Sequence, residues 1–241
     1  MTTVFKIENL SKKFVSKEST KIVLDDINIS MQAGEIFGLI GLNGIGKTTM
    51  IRTALDLIEA DSGKISFFDK SHKDKNSRQD ICYLPERFHP SAYLTGFEFL
   101  HISNLFYGKT LDKAKAEELA VRVDLDPSAL GKQIKSYSKG MGQKVGLISC
   151  FLSDTPLLIL DEPMSGLDPK ARIGLKDLIM DYKKSGKSIF FSSHILADVD
   201  EICDRINILN NTKIVFDGVA EDLKKQFNEQ SLERAFLKLI S

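Results

Sequence analysis

The sequence predicts an α/β fold whose core is a mainly parallel sheet with helices on both faces. Three observations predict it. Short apolar runs at 35–40, 157–160 and 188–192 do not alternate and are bounded by turn residues, as in strands buried on both sides. Stretches with apolar residues at helical spacing separate the later runs, the order that winds strands into a parallel sheet. A glycine-rich segment, Gly41-Leu42-Asn43-Gly44-Ile45-Gly46-Lys47-Thr48, joins the first apolar run to a helix.

Residues 4–68 are strand-rich. The start, Met1-Thr2-Thr3-Val4-Phe5-Lys6-Ile7-Glu8, alternates like a strand and lacks the long apolar core of a signal peptide. Residues 22–24 and 27–29 read as two short runs, Ala33-Gly34 as a turn, 48–55 as a helix and 65–68 as a strand. The stretch 69–80, with Lys70, His72, Lys73, Lys75 and Arg78, reads as a solvated connection. From Thr95 to about 148 the spacing becomes helical. Phe97, Leu100, His101, Asn104 and Leu105 open one helix, 111–123 is a charged amphipathic second, and Met141 begins a third, so this is a helical insert. Beyond it strand and helix alternate again: strand 157–160, helix 170–183, strand 188–192, helix 196–203, then strands 206–209 and 213–216. In such a sheet function gathers at the carboxyl ends of the strands.

A chain of 241 residues with 42% hydrophobic content can bury the core of one large domain, or one domain with a subdomain. Lys+Arg and Asp+Glu each number 33, so there is no net positive charge to follow a nucleic-acid backbone, and DNA and RNA drop out as partners. Cys82, Cys150 and Cys203 lie far apart in no zinc or redox spacing, and read as small core hydrophobes in a reducing cytosol. No apolar run approaches the ~20 residues that cross a bilayer, so any action at a membrane runs through a partner.

The glycine-rich segment fits G-x-x-x-x-G-K-[ST] between strand and helix, the context its mechanism requires. Its glycines let backbone N–H groups converge on phosphate oxygens, and the helix N-terminus adds partial positive charge. Lys47 reaches the terminal phosphates and Thr48 can ligate magnesium. The expected ligand is a nucleoside triphosphate. Asp161 and Glu162 follow an apolar strand at the point where the chain leaves the sheet, so both carboxylates can face that loop. One can hold a metal while the other orients or deprotonates a water, the division of labour phosphoryl transfer needs. His194 ends the run at 188–193 on the same sheet edge, within reach of the terminal phosphate or the attacking water.

These residues resemble the nucleotide-binding subunit of an ABC transporter over nearly the whole chain. The phosphate loop, continued by Thr49, is similar to the family's G-x-N-G-x-G-K-[ST]-T form. Asp161-Glu162-Pro163 resembles its metal and catalytic strand, Ser165-Gly166-Leu167-Asp168-Pro169 the loop that follows, and Ser192-Ser193-His194 its histidine switch. Tyr137-Ser138-Lys139-Gly140-Met141-Gly142-Gln143-Lys144 stands where the family carries L-S-G-G-Q, with Lys139 and Tyr137 as departures. A serine and glycines there open a helix and make a second anion site.

The resemblance implies a P-loop NTPase core with a mainly parallel sheet, an N-terminal antiparallel β subdomain and an inserted α-helical subdomain, in one domain over 1–241. The core would take 1–86 and 154–241, the helical signature subdomain 87–153. It implies ATP and Mg2+ as ligands, with Thr48, Asp161 and Glu86 on the metal. The nucleotide would meet Phe14, Gly41, Leu42, Asn43, Gly44, Ile45, Gly46, Lys47, Thr48, Thr49 and Glu86, together with Ser138, Gly140 and Asp168. Catalysis falls to Glu162, His194 and Lys47. Glu86 stands where relatives carry glutamine, and Phe14 where they carry an adenine-stacking aromatic, although Phe14 also reads as a core side chain.

In the family two cassettes close head to tail around two ATP molecules, so the partners implied are a second cassette and an integral-membrane subunit, with the chain at the cytoplasmic face of the membrane. The aromatics from Phe88 to Phe97 read either as a docking groove for that subunit or as packing inside the insert. The segment 218–239 is similar to the ending of bacterial export cassettes, which points to export. Two other readings stand beside transport: a soluble ABC ATPase of DNA maintenance or translation, and an ATP-binding regulator with little turnover.

Overall fold

In the computed structural model, which describes residues 2–16 and 18–241, the strand-rich start is a long antiparallel hairpin. Met1 of the alternating start lies outside the described residues. β1 (Thr3–Val15) pairs with β2 (Thr20–Gln32), placing Ile7 opposite Ile29 and Phe14 opposite Lys21. The two runs expected at 22–24 and 27–29 are one strand. Asp26 interrupts it at φ 55°, a left-handed conformation that aspartate tolerates, and the Asn28 side chain donates to its carbonyl at 3.0 Å.

β3 (Ile36–Ile40), wholly buried, runs into the glycine loop and then α1 (Lys47–Ala54). β4 (Ser62–Phe67) and β5 (Lys70–Ser71) complete an antiparallel sheet of order β2-β1-β4-β5. The stretch 69–80 is more structured than a solvated loop. His72 and Ser77 are buried there, and Asp74 caps a short 3-10 turn, Lys75–Arg78, because its polar groups satisfy local backbone atoms.

β6 (Ile81–Leu84) leads into the helical insert. Thr95 and Glu98 form a reciprocal capping box that starts α2 (Gly96–Phe106), with 3.2 Å from Glu98 N to Thr95 Oγ1 and 2.7 Å from Thr95 N to a Glu98 carboxylate oxygen. α3 (Lys113–Arg122) begins two residues later than its apolar spacing indicated, because Asp112 caps it. α4 (Lys139–Ser153) begins before Met141, because Ser138 accepts from Met141 N at 3.2 Å.

β7 (Leu157–Asp161), α5 (Pro169–Lys184), β8 (Ser188–Ser193), α6 (Leu196–Ile202), β9 (Arg205–Asn210) and β10 (Lys213–Gly218) follow, and α7 (Ala220–Phe227) and α8 (Leu232–Ile240) close the chain. The second sheet has order β10-β9-β3-β8-β7-β6, parallel except for the β9–β10 hairpin.

Period two along the buried strands sorts their side chains into two cores. Ile36, Ile40, Leu158, Leu160, Ile189 and Phe191 face α4, α5, α6 and α8. Phe37, Leu39, Leu157, Ile159 and Phe190 face α1 and the antiparallel sheet. Phe5 bridges the two sheets, stacked on Phe67 with centroids 4.8 Å apart and edge-on to Phe190 at 5.3 Å. Because β3, β8 and β7 are neighbours, their carboxyl ends bring the glycine loop, His194 and the Asp161-Glu162 pair to one place.

The insert is fixed to this body where Gly174 of α5 meets the end of α3. A Cβ at Gly174 would lie 1.7 Å from the Arg122 carbonyl oxygen. Gly174→Ala must separate the two helices, and overpacking of this kind costs about 2 kcal/mol. Thermal unfolding of the variant is expected to drop by roughly 4–8 °C.

Candidate functional site

The glycine loop takes its shape from local constraints. Gly46 has φ 124°, and a Cβ there would lie 2.9 Å from Val23 Cγ1, so only glycine fits between loop and hairpin. No side chain caps α1 and its first turn has no acidic residue, which leaves its N-terminal N–H groups to an outside anion. Lys47 Nζ donates to the carbonyls of Gly41 at 2.7 Å and Leu42 at 3.3 Å.

Glu162 reaches the same lysine. Its Oε1 lies 3.0 Å from Lys47 Nζ, with the two side chains only 6% and 7% exposed. Its Oε2 lies 2.7 Å from His194 Nδ1, which makes a chain of three charged or polar groups across the ends of β3, β7 and β8. Successive residues of a strand point to opposite faces, so Asp161 and Glu162 cannot share a side while the strand continues. Glu162 takes φ 51°, a strained left-handed conformation, and the turn brings both carboxylates to the loop.

Ser192 holds that turn. Its hydroxyl donates to Asp161 Oδ1 at 2.6 Å and accepts from Glu162 N at 2.9 Å. Burial raises the Asp161 carboxyl above the ordinary range, against the lowering effect of the Ser192 and Thr48 hydroxyls, while the charges of Glu86 and Glu162 add to the rise. Asp161 Oδ2 is buried and unpaired. A divalent cation fits this arrangement: an unpaired buried acceptor, a threonine hydroxyl on the same carboxylate and two further carboxylates nearby. Among the described residues no three His, Cys, Asp or Glu side chains cluster as a ready metal cage. A cation here would therefore rely on the Thr48 hydroxyl and on oxygens from outside the protein.

A cleft of about 520 Å³ gathers most of the sequence-predicted residues. Leu42, Asn43, Gly44, Gly46, Lys47, Thr48 and Thr49 line its loop side, Glu86 and Glu162 the far wall, and Phe14 its end. Phe14 is 44% exposed, so it is no core side chain, and Lys12 Nζ lies 5.3 Å from its ring centre. Gly41 and Ile45 sit beneath the loop instead, Gly41 giving its carbonyl to Lys47 and Ile45 packing on the core.

Ser138, Gly140 and Asp168 do not join this cleft. Ser138 lines a second cleft of about 540 Å³ that shares only Glu86 and Arg87 with the first. A Cβ at Gly140 would stand 3.2 Å from the Gly166 carbonyl oxygen, which puts the signature loop against the loop after Glu162. Asp168 caps α5 through Ala171 N at 2.9 Å and pairs with Lys144 at 2.8 Å. The Lys144 hydrogen bond, first among its causes, holds its carboxyl down at about 2. Of the aromatics considered for docking, Phe88 packs edge-on to Phe99 at 5.5 Å and Phe97 lies under Lys113, while Tyr93 is 83% exposed.

Sequence reasoning named Ser192 only within the histidine segment, with no role of its own, and missed Lys21 and Arg87. The register Asp161↔Ser192 makes Ser192 a neighbour of the carboxylates, and its signal was its place two residues before His194 at the strand end. Lys21 and Arg87 line the cleft through the hairpin and the turn after β6, and sequence spacing carries no mark of either.

Comparison with known proteins sets this geometry in context. The family model described as ABC transporter matches residues 24–165. An uncharacterised ABC transporter ATP-binding protein of Synechocystis is 42% identical over 198 residues, covering 81% of this chain; the chain spans 56% of that relative's length. The ABC-type transporter ATP-binding protein EcsA of Bacillus subtilis is 34% identical, with 90% of each chain covered. A solved structure described as the ATP-binding subunit of an ABC transporter superposes with TM-score 0.87 at 32% identity, over 99% of this chain and 100% of its own.

Ser192→Ala strands the Glu162 N–H and one Asp161 oxygen inside the protein. Losing a buried partner in this way costs about 2 kcal/mol, so the melting temperature is expected to fall by roughly 4–8 °C in a thermal scan.

Proposed function

The chain belongs to the ABC transporter family of ATP-binding proteins, and on that premise we propose that it binds and hydrolyses ATP to drive transport through a separate membrane subunit. One observation carries the reading: Lys47, Thr48, Asp161, Glu162 and His194 converge at one loop mouth, with the base-like carboxylate already on the lysine. The adenine would lie on the Phe14 ring face, the phosphates against the loop N–H groups and Lys47. Thr48 and Asp161, with Glu86 close by, would hold a magnesium ion, which supplies neutralisation of phosphate charge.

Arriving phosphate competes with Glu162 for Lys47. The carboxylate is thereby released to take a proton from a water whose oxygen attacks the terminal phosphorus, as the bond to the bridging oxygen of ADP breaks. His194, hydrogen-bonded to Glu162, holds the carboxylate toward that water. The products are ADP and inorganic phosphate.

The separation of Ser138 and Gly140 from the phosphate cleft supports a dimer in which each signature helix closes on the other chain's nucleotide. Among the described residues no helix is long and apolar enough to cross a membrane, which supports a separate spanning partner and a place on the cytoplasmic membrane face. The direction proposed is export, from the resemblance of the closing segment to exporter cassettes.

Glu162→Gln keeps the shape and removes the base. ATP should still bind, turnover should fall at least about a hundredfold, and ATP-loaded protein should elute as a dimer in size exclusion. A monomer with wild-type phosphate release would overturn the assignment. Ser138→Arg mixed with Lys47→Ala should recover activity that neither variant has alone, because a head-to-tail mixed dimer keeps one intact site, and no recovery would argue against that arrangement.

A further inference from the structure

Two polar atoms beside the phosphate cleft stand without a hydrogen-bond partner in the protein. The Tyr83 hydroxyl is buried without a hydrogen bond, as is Asp161 Oδ2. Tyr83 on β6 pairs in parallel register with Ile159 on β7, and Asp161 lies two residues beyond Ile159. Paired residues on adjacent strands share a face, and so do residues i and i+2, so Tyr83 and Asp161 stand on one side of the sheet. Ile159 and Tyr83 both pack in the core that α1 covers.

Burial first, and then the charge of Asp161, push the Tyr83 phenol up to about 12, while the Arg52 guanidinium of α1, which can only donate to the phenol oxygen and so leaves its proton free, acts the other way. At neutral pH the hydroxyl is a proton donor, on the same face of the sheet as an acceptor that has no hydrogen-bond partner. Each unpaired group is costly when buried, and one water between them satisfies both.

We propose that Tyr83 is a positioning residue for the divalent cation: its hydroxyl donates through a bridging water to Asp161 Oδ2 and fixes the carboxylate toward Thr48. The proposal rests on the reading that Thr48 and Asp161 hold that cation. Groups that orient a metal's carboxylate typically govern affinity by about tenfold or more when removed.

The test is Mn2+ binding to protein saturated with a nonhydrolysable ATP analogue, followed by electron paramagnetic resonance in the absence of turnover. Tyr83→Phe is expected to raise the Mn2+ dissociation constant about tenfold. The half-saturating Mg2+ for hydrolysis should rise in parallel, with a smaller change in maximal rate. The melting temperature without cation should stay close to that of the wild type, because the water can still donate to Asp161 Oδ2 once the phenol hydroxyl is gone. Equal Mn2+ affinity in variant and wild type overturns the role of Tyr83. Asp161→Asn is measured alongside: if it holds Mn2+ as tightly as the wild type, the metal reading itself falls, and the Tyr83 proposal with it.

Discussion

The contact on which the site depends is the buried ion pair between Lys47 and Glu162. Two charges withdrawn from water must be matched, since the desolvation of either alone costs several kcal/mol. Here they are matched by each other, by the Gly41 and Leu42 carbonyls on the lysine side and by His194 on the carboxylate side. The loop carbonyls, the left-handed turn at Glu162 and the hydroxyl of Ser192 all serve to keep that pair aligned. In the proposed mechanism the same contact ties the group that would abstract a proton to the group that would hold phosphate.

A second chain of contacts runs outward from this pair. The loop after Glu162 lies against Gly140 through the Gly166 carbonyl and ends in Asp168, whose carboxylate pairs with Lys144 on α4. Ser138 caps that same helix. Whatever displaces Glu162 therefore acts on a segment tied at its far end to the signature helix. The segment also abuts Gly140 on the way, which gives the phosphate cleft and the second cleft a mechanical link through one short stretch of chain.

Much of this was legible in the sequence. Wholly apolar runs identified β3, β7 and β8, because strands buried on both faces leave no room for alternation, and the glycine pattern located the loop between β3 and α1. The long hairpin was harder, since bulges at Asn9 and Asp26 break β1 and β2 into pieces that look independent. The stretch 69–80 is mostly exposed, as its composition implies, but the sequence did not show that His72 and Ser77 are buried or that Asp74 caps a turn. Ser192 stood in the sequence two residues before His194, but its role became visible only through register, once its neighbour across the strand was known. Phe14 was ambiguous for a similar reason: an aromatic near a strand end is core or surface according to where the strand carries it, and here Phe14 and Lys21 both line the cleft.

The seam made by Phe5, Phe67 and Phe190 sets one further condition. Phe14 belongs to the antiparallel sheet and Lys47 to the helix that follows β3 of the parallel one, so an elongated guest touching both spans two layers that meet through aromatic and aliphatic side chains. Such a guest acts as mortar between courses of brick. By bridging both courses it adds contacts to a joint otherwise held by side-chain packing alone.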